Sequence, residues 1–182
     1  IFFPSFKDGK VIHVVYKLIG GGYYNSPGPK PIYLTRANPL NNTIVVVEGI
    51  FDALSVYVAG YQGAALLGDT ITAKHDLSIF KGKDVVIAMD GDEAGQAKAF
   101  ININAILPIA KSVRVATIPL ETTDSGNVKV KDPNDVLTKY GKDKLRELIE
   151  NAVEIPKPAK PEAPVEDAGE EASLPEPQPE AQ

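Results

Sequence analysis

The sequence is organised around residues 42–92, which open with the run Thr43-Ile44-Val45-Val46-Val47-Glu48-Gly49. They close with a second run, Asp84-Val85-Val86-Ile87-Ala88-Met89-Asp90-Gly91-Asp92. Each run is short, rich in β-branched residues and ended by acidic residues and a glycine, a pattern that predicts a strand followed by a turn. Packing does not explain carboxylates at the ends of two apolar strands, so we expect them to form a shared site for metal and phosphate.

From residue 43 onward, the pattern alternates between short strands and helices. The predicted strands lie at residues 45–47, 63–67, 84–89 and 112–118. The predicted helices lie at residues 50–60, 70–77 and 93–107, followed by two closing helices between Pro133 and Val153 that are separated at Gly141. Strand–helix alternation at this spacing predicts an α/β, Rossmann-like fold with a central parallel four-stranded sheet flanked by helices.

Two of these helices carry further signals. Asp69 or Thr70 is a suitable N-cap for the helix at residues 70–77. The helix at residues 93–107 is predicted to bury one stripe of side chains, formed by Ala94, Ala97, Phe100, Ile101 and Ala105.

Composition divides the chain into three parts. Residues 1–40 are predicted to form a small β-rich unit with strands at residues 3–6, 10–18 and 31–34. A hairpin turn is predicted at Asp8-Gly9. His13 is predicted to be a strand residue and not a ligand. Within this unit, residues 20–29 are rich in glycine and proline and predict an irregular loop. Residues 41–155 hold the strand–helix alternation. Residues 156–182 are rich in proline and glutamate and predict a disordered linker or tail.

The composition also limits the kind of metal site. The 182 residues include no cysteine and two histidines, which excludes thiolate zinc sites and a histidine-rich cage. A metal ion here must bind oxygen ligands, as magnesium, manganese and calcium do.

No apolar run reaches about 18 residues, so no membrane span is predicted. The tail carries the whole net charge of −5, and the near-neutral remainder argues against a broad nucleic-acid-binding surface, though not against a local basic groove.

Three acidic side chains are expected to meet at one edge of the predicted sheet. Glu48 follows the first strand, and Asp90 and Asp92 follow the third. Functional groups gather at the carboxyl ends of parallel strands. Unpaired carboxylates that meet there raise one another's pKa, and a divalent cation removes that cost. The three side chains offer ligands that Mg²⁺ prefers.

The residues beside these acids fit the same site. Gly49 and Gly91 are interpreted as leaving room for a phosphate or a metal ion to approach the backbone. Asp52 fits two interpretations equally well: a member of the site, one helical turn beyond Glu48, or an ordinary acid in the first turn of a helix.

Several motifs resemble those of a known family. Residues 47–53 and 89–95 look like the two signature motifs of Toprim domains, a fold shared by bacterial-type primases, type IA and type II topoisomerases, and some nucleases and recombination proteins. Residues 65–68 resemble the glycine-ended second strand of the primase branch, and residues 131–137 resemble its Asp-Pro motif. Phe3-Pro4, residues 8–12 and Tyr24-Asn25-Ser26-Pro27 resemble the subdomain that precedes Toprim in primase catalytic cores.

The resemblance implies a DNA primase catalytic core, an enzyme that joins ribonucleotides on a single-stranded DNA template by two-metal nucleotidyl transfer. By similarity, Asp90 and Asp92 hold catalytic Mg²⁺ or Mn²⁺, two ions in all. Asp132 is a further acidic ligand, and Glu48 is a metal-associated catalytic acid or base. Weaker candidates for contact with nucleotide or template are Asn25, Lys30 and Lys98.

The resemblance also implies partners and a location. The substrates are ribonucleoside triphosphates, a replicative helicase is expected in trans or fused, and the expected location is cytoplasmic, at the nucleoid or in a viral replication complex. Two features depart from the family. A glycine-rich run stands before the tyrosine of the Asn-Ser-Pro loop, where primases often have a lysine, and the sequence contains no cysteine-bearing zinc-binding domain for template recognition.

Two other functions remain open. A Toprim nuclease would share the acids and the metal ions, and would differ only in its products, which are cleaved strands and not new oligoribonucleotides. A non-catalytic nucleic-acid-binding Toprim module would keep the fold and use a metal only for shape. The presence of all the acids argues against the second alternative.

Overall fold

A six-stranded sheet forms the centre of the fold in a computed structural model that describes residues 1–38, 41–68 and 70–157. The predicted disordered tail lies outside the described residues beyond residue 157, and so does Asp69, one of the two predicted N-caps. None of the described helices is long and apolar enough to cross a membrane.

The secondary structure follows the predicted alternation from residue 43 onward. The strands are β1 (Phe2–Lys7), β2 (Lys10–Lys17), β3 (Tyr23–Asn25), β4 (Tyr33–Leu34), β5 (Thr43–Val47), β6 (Gln62–Ala65), β7 (Asp84–Ile87), β8 (Ser112–Val115), β9 (Glu121–Thr122), β10 (Val128–Val130) and β11 (Val153–Glu154). The helices are α1 (Ile50–Val58), α2 (Glu93–Ile106), α3 (Pro133–Tyr140) and α4 (Lys142–Glu150), with a 3₁₀ turn at Ser78–Phe80.

The order of strands in the main sheet is β11-β8-β7-β5-β6-β4. Its four central strands, β8, β7, β5 and β6, are parallel to one another. The two edge strands, β11 and β4, pair antiparallel. The predicted α/β fold with a parallel four-stranded centre is therefore confirmed, and the structure adds one antiparallel strand at each edge.

Strand β5 is buried on both of its faces, which explains its unbroken apolar run. Val45 and Val47 pack into one core cluster with residues of α1, α3 and α4. Ile44 and Val46 point to the other face and pack into a second cluster with α2 and the 3₁₀ turn. Helices thus cover both faces of the sheet, as the alternation predicts.

The N-terminal residues form a second sheet that packs against the first. Strands β1, β2 and β3 are antiparallel and lie in that order, with the predicted hairpin turn at Asp8-Gly9. Phe3 and Val15 of this small sheet belong to the same core cluster as Val45. Strand β4 pairs with β6 of the main sheet, so residues on the N-terminal side of residue 40 contribute to both sheets. The unit boundaries given above stay predictions.

Several local predictions are wrong. No helix forms at residues 70–77: the Thr72 N–H donates to His75 Nδ1 (2.9 Å), and polar side chains that bond nearby backbone groups compete with a helix. The glycine-rich loop at residues 20–29 contains strand β3, and Val153 lies in strand β11, paired with Val115, and not in a closing helix. Strands β9 and β10 form a hairpin that the sequence pattern does not predict.

The predicted buried stripe of α2 is also wrong. Its buried residues are Gly95, Ala99, Asn102 and Ile106, whereas Phe100 is 68% exposed. A Cβ on Gly95 would lie 2.2 Å from the Asp90 carbonyl oxygen, so this glycine must face the sheet and thereby sets the rotation of the helix. Asn102 is polar but buried, because its Oδ1 accepts from the Ile71 N–H (2.9 Å).

Close packing between α1 and β6 leads to a prediction about stability. A Cβ on Gly63 would lie 2.4 Å from the Ala53 carbonyl oxygen, so the backbone must shift to accept one. We expect Gly63→Ala to lower the free energy of unfolding by about 1–3 kcal/mol, as overpacking does. Urea denaturation followed by circular dichroism measures the change.

The control for this prediction is Gly22→Ala. A Cβ at Gly22 meets no atom within 4 Å, and its φ is not in the left-handed region. We expect this control to change the free energy of unfolding by less than about 0.5 kcal/mol. Equal effects of the two substitutions would contradict the packing argument.

Candidate active-site cleft

Parallel pairing of β5 with β7 brings two acidic residues to one edge of the sheet. Val46 pairs with Ile87, and the Ala88 N–H continues the ladder by donating to the Val46 carbonyl oxygen (2.9 Å). Glu48 and Asp90 therefore leave neighbouring strands at the same edge, as predicted. The Glu48 carbonyl oxygen also accepts from the Gly68 N–H (3.0 Å), which ties the end of β5 to the loop after β6.

Four acidic residues line one cleft of about 570 Å³ between this edge of the main sheet and the small sheet. They are Glu48, Asp52, Asp90 and Asp132. The small sheet contributes Lys17, Tyr23 and Asn25 to the lining of the same cleft. The structure thus brings together acids from three separate segments of the chain, and the predicted nucleotide contact Asn25 lines the cleft with them.

Two lysines neutralise the acids that follow β5 and β7. Lys98 of α2 forms a salt bridge with Glu48, and Lys131 donates to Asp90 Oδ2 at 2.7 Å. Asp90 is well buried, with 11% of its side chain exposed. The bond to Asp90 raises the pKa of Lys131, and the charges of Asp90, Asp92 and Asp132 add to the rise.

Asp52 holds the starts of two helices together. Its Oδ2 accepts from the Gly49 N–H (3.0 Å) at the start of α1, and its Oδ1 accepts from the Asn134 N–H (3.2 Å) in the first turn of α3. Burial first, and then the neighbouring charge of Asp132, raise the pKa of Asp52 to about 7. Asp52 is therefore a first-turn acid of α1 that also lines the cleft, and its membership of a functional site stays a prediction.

Asp132 begins α3 in the way that the sequence predicts. It is the N-cap, its Oδ1 accepts from the Asp135 N–H (2.7 Å), and Pro133 follows at the first helical position. Burial raises the pKa of Asp132, and the charges of Asp135 and Asp90 raise it as well. Negative charge is therefore in excess on this side of the cleft.

Three predicted site residues have other contacts. Asp92 is the N-cap of α2, and its Oδ1 accepts from the Gly95 N–H (2.8 Å). Lys30 Nζ donates to the Leu67 carbonyl oxygen (3.3 Å) at the rim of the cleft. Lys98 is paired with Glu48. A metal role for Asp92 and nucleotide roles for the two lysines stay predictions.

The two glycines beside the acids are closely packed within the protein. A Cβ on Gly91 would lie 2.4 Å from the Ile118 carbonyl oxygen, and a Cβ on Gly49 would lie 2.8 Å from Asp52 Oδ2. These contacts give an internal reason for both glycines, and their role in leaving room for a phosphate or a metal ion stays a prediction.

Sequence reasoning missed several residues of the cleft. Lys17 and Tyr23 line it, with Lys17 Nζ 4.2 Å from the centre of the Tyr23 ring. Alternation along β2 is the signal that could have found Lys17, because residues 13, 15 and 17 share the face that looks toward the main sheet. Lys131 belongs to the Asp-Pro motif, yet nothing in the sequence indicates its bond to Asp90.

The chemistry of the acids fits a divalent metal ion of the magnesium type. The ligands on offer are carboxylate oxygens, and their mutual repulsion is a cost that a cation relieves. Across residues 1–38, 41–68 and 70–157, however, no group of three or more acidic or histidine side chains stands close enough to hold a metal ion. Metal binding would require Lys98 and Lys131 to move away from their carboxylates.

The fold and the cleft define an α/β protein with a cluster of acids at the carboxyl edge of a parallel sheet. The sequence model of the Toprim-like family matches residues 45–137, which include Glu48, Asp52, Asp90 and Asp132. This match covers half of the chain, and the chain belongs to the Toprim-like family.

Among curated proteins, relatives of the chain are DNA primases. The DNA primase of Clostridium acetobutylicum is 28% identical over 170 residues, which are 85% of this chain and 27% of that protein. The DNA primase of Rickettsia bellii is 31% identical over 117 residues, which are 63% of this chain and 18% of that protein. The chain thus spans about a quarter or less of the length of these relatives.

Solved structures show the same fold. The zinc-binding and RNA polymerase domains of the Aquifex aeolicus primase superpose with a TM-score of 0.65 at 26% identity, covering 85% of this chain and 40% of that chain. The primase fragment of the bacteriophage T7 primase-helicase protein superposes with a TM-score of 0.54 at 18% identity, covering 81% of this chain and 61% of that chain. The latter likeness concerns the fold alone.

The negative charge of Asp132 near Asp52 leads to a prediction about the pKa of Asp52. In the metal-free protein, we expect Asp52 to titrate near its pKa of about 7, and Asp132→Asn to lower that pKa because one negative neighbour is gone. Asparagine is also a good N-cap, so α3 should persist. Carbon-detected NMR of the side-chain carboxyl groups, with a chelator present, measures both pKa values.

The same pKa fixes the direction of a stability effect. Because the folded protein binds this proton more tightly than the unfolded chain, the contribution of Asp52 to the free energy of unfolding falls as pH rises from 3.8 to about 7.

The control for the NMR titration is Asp124→Asn. It changes an exposed carboxylate of the β9–β10 hairpin and should leave the pKa of Asp52 unchanged. An unchanged pKa in Asp132→Asn would contradict the electrostatic argument.

Proposed function

We propose that this chain is part of a DNA primase and contains its catalytic site for joining ribonucleotides on a single-stranded DNA template. One observation carries the proposal: acids from three chain segments, Glu48, Asp90 and Asp132, line one cleft together with Asn25 of the small sheet. Similarity over 85% of this chain to a protein named DNA primase supports it.

In this proposal, the acids hold Mg²⁺ or Mn²⁺, two ions in all, against the phosphates of a ribonucleoside triphosphate. Glu48, Asp90 and Asp132 would provide ligands directly, and Asp92 would either join them or orient Asp90 from the start of α2. Bound divalent cations supply charge neutralisation at the reacting phosphate and activate the attacking hydroxyl. Glu48 would hold or accept a proton near that hydroxyl.

The rest of the cleft would bind and orient the nucleotide. Lys17 and Asn25 offer N–H donors from the small sheet. Lys98 and Lys131, released from Glu48 and Asp90 by metal binding, would become free to pair with phosphate or template. Lys30 lies at the rim and is a further candidate for the template.

The proposal extends to partners and to location. A replicative helicase is the expected partner, in trans or fused, and the similar T7 fragment comes from a primase-helicase protein. The proposed site of action is replicating DNA, at a bacterial nucleoid or in a viral replication complex in the host cytoplasm.

The test compares three substitutions in a primer-synthesis assay with single-stranded DNA, labelled ribonucleotides and Mg²⁺. We expect Glu48→Gln and Asp90→Asn each to lower the rate by at least about 10²-fold, because each removes a charge that acts at the reacting phosphate. Asp84→Asn is the matched control: Asp84 is the first residue of β7, at the end of the strand away from Asp90, and is bonded to Lys111 and Ser112. This control should keep near-normal activity.

The products separate this proposal from its alternatives. Cleaved DNA strands without new oligoribonucleotides would indicate a Toprim nuclease. Nucleotide binding that is indifferent to Mg²⁺, with no product of either kind, would indicate a non-catalytic module. Normal primer synthesis by Glu48→Gln or by Asp90→Asn would contradict the assignment of the site.

A further inference from the structure

A chain of hydrogen bonds runs through the inner face of the small sheet and ends in the cleft. His13 of β2 is 2% exposed, and both of its ring nitrogens are bonded. Its Nδ1 lies 3.1 Å from Ser26 Oγ, and its Nε2 lies 3.1 Å from Asn25 Oδ1. His13 thus connects two residues of the Asn-Ser-Pro segment, one of which lines the cleft.

The acceptor at one end gives this chain of bonds its direction. Asn25 Oδ1 carries no hydrogen, so it accepts from His13 Nε2. Ser26 Oγ accepts from the Val14 N–H (3.0 Å) and still has its own hydrogen, which it donates to His13 Nδ1 when that nitrogen carries no proton. A neutral imidazole then has its proton on Nε2, and that N–H donates to Asn25 Oδ1.

The direction of the chain orients the amide of Asn25. With Oδ1 held by His13, the amide nitrogen is directed away from the ring, and it has no hydrogen-bond partner among the described residues. Asn25 lines the same cleft as Glu48 and Asp90. Two unpaired N–H donors at this position suit the oxygens of a phosphate, whereas a flipped amide would present its oxygen to them and repel them.

We propose that His13 is a positioning residue: as its Nε2–H tautomer, held by Ser26, it fixes the amide of Asn25 with its N–H groups toward phosphate in the cleft. The orientation of a free amide is not fixed by its shape, because its oxygen and nitrogen ends are nearly the same size. The part of this inference that concerns phosphate rests on the proposed function, but the bond from His13 to Asn25 does not.

The first test concerns the bond alone. Heteronuclear proton–nitrogen NMR of the histidine rings assigns the ring proton in the unliganded protein. We expect the His13 proton on Nε2, and we expect it to stay there in Ser5→Ala, the matched control. Ser5 faces His13 directly across β1 and β2, and its buried hydroxyl has no partner among the described residues. A proton on Nδ1 would overturn the inference.

The second test measures the affinity for a ribonucleoside triphosphate with Mg²⁺ by titration calorimetry. We expect His13→Leu to weaken binding by about fivefold to tenfold, because one oriented hydrogen bond is lost. His13→Gln should restore most of the affinity, because its amide N–H₂ reaches Asn25 Oδ1 where the leucine side chain has no donor. Asn25→Asp keeps the acceptor for His13 but replaces the N–H donors with a carboxylate oxygen, and should bind at least as weakly as His13→Leu.

The outcomes separate this inference from the proposed function. A stable, folded His13→Leu variant with unchanged affinity would overturn the positioning role, and so would failure of His13→Gln to restore affinity while it remains folded. If the unaltered protein binds no ribonucleoside triphosphate, the proposed function fails. The ring NMR then decides alone whether His13 orients Asn25.

Discussion

The parallel, in-register pairing of β5 with β7 is the constraint on which the rest of the site depends. It is fixed by side chains that are buried on both faces, since Val45 and Val47 pack on one side and Ile44 and Val46 on the other. A slip of one residue would exchange the two faces and break both clusters. The register that satisfies both clusters also ends the two strands side by side, so Glu48 and Asp90 meet at one edge as a consequence of core packing.

Backbone hydrogen bonds then hold the acids in place at the start of each following segment. Asp52 joins the first turns of α1 and α3, Asp132 caps α3, and Asp92 caps α2. Asp92 and Asp132 each have one oxygen bonded to a backbone N–H, and Asp52 has both oxygens bonded, so these side chains have few rotamers available. The helix starts therefore hold these carboxylates in fixed positions around the cleft, and such preorganisation is what the electrostatic catalysis of the proposed function would need.

The central strands of the main sheet were predictable because a strand that is buried on both faces is an unbroken run of apolar residues. Most of the helices that flank the sheet were predictable from their position between these strands. The rotation of α2 was not, because Asn102 is buried through a tertiary bond to the Ile71 N–H, and a polar residue hides the buried stripe. The acids Glu48 and Asp90 were predictable from their place at strand ends. Lys131 was not, because its bond to Asp90 joins residues that are distant in sequence and adjacent only in the fold.

Among the residues that the structure describes, lysine side chains neutralise only two of the four acids that line the cleft, and this difference affects where a cation would be attracted most strongly. Lysines pair with Glu48 and Asp90, whereas Asp52 and Asp132 have no salt bridge within the described part of the chain. The pKa of each of these two acids is raised, by burial first and by the other acids next. A cation near Asp52 and Asp132 would gain from the uncompensated pair, whereas ligation by Glu48 and Asp90 would require Lys98 and Lys131 to move away. In the proposed function, the Asp52–Asp132 side would supply the electrostatic attraction for a cation. The Glu48 and Asp90 side would supply lysines that a phosphate could recruit once a cation displaced them.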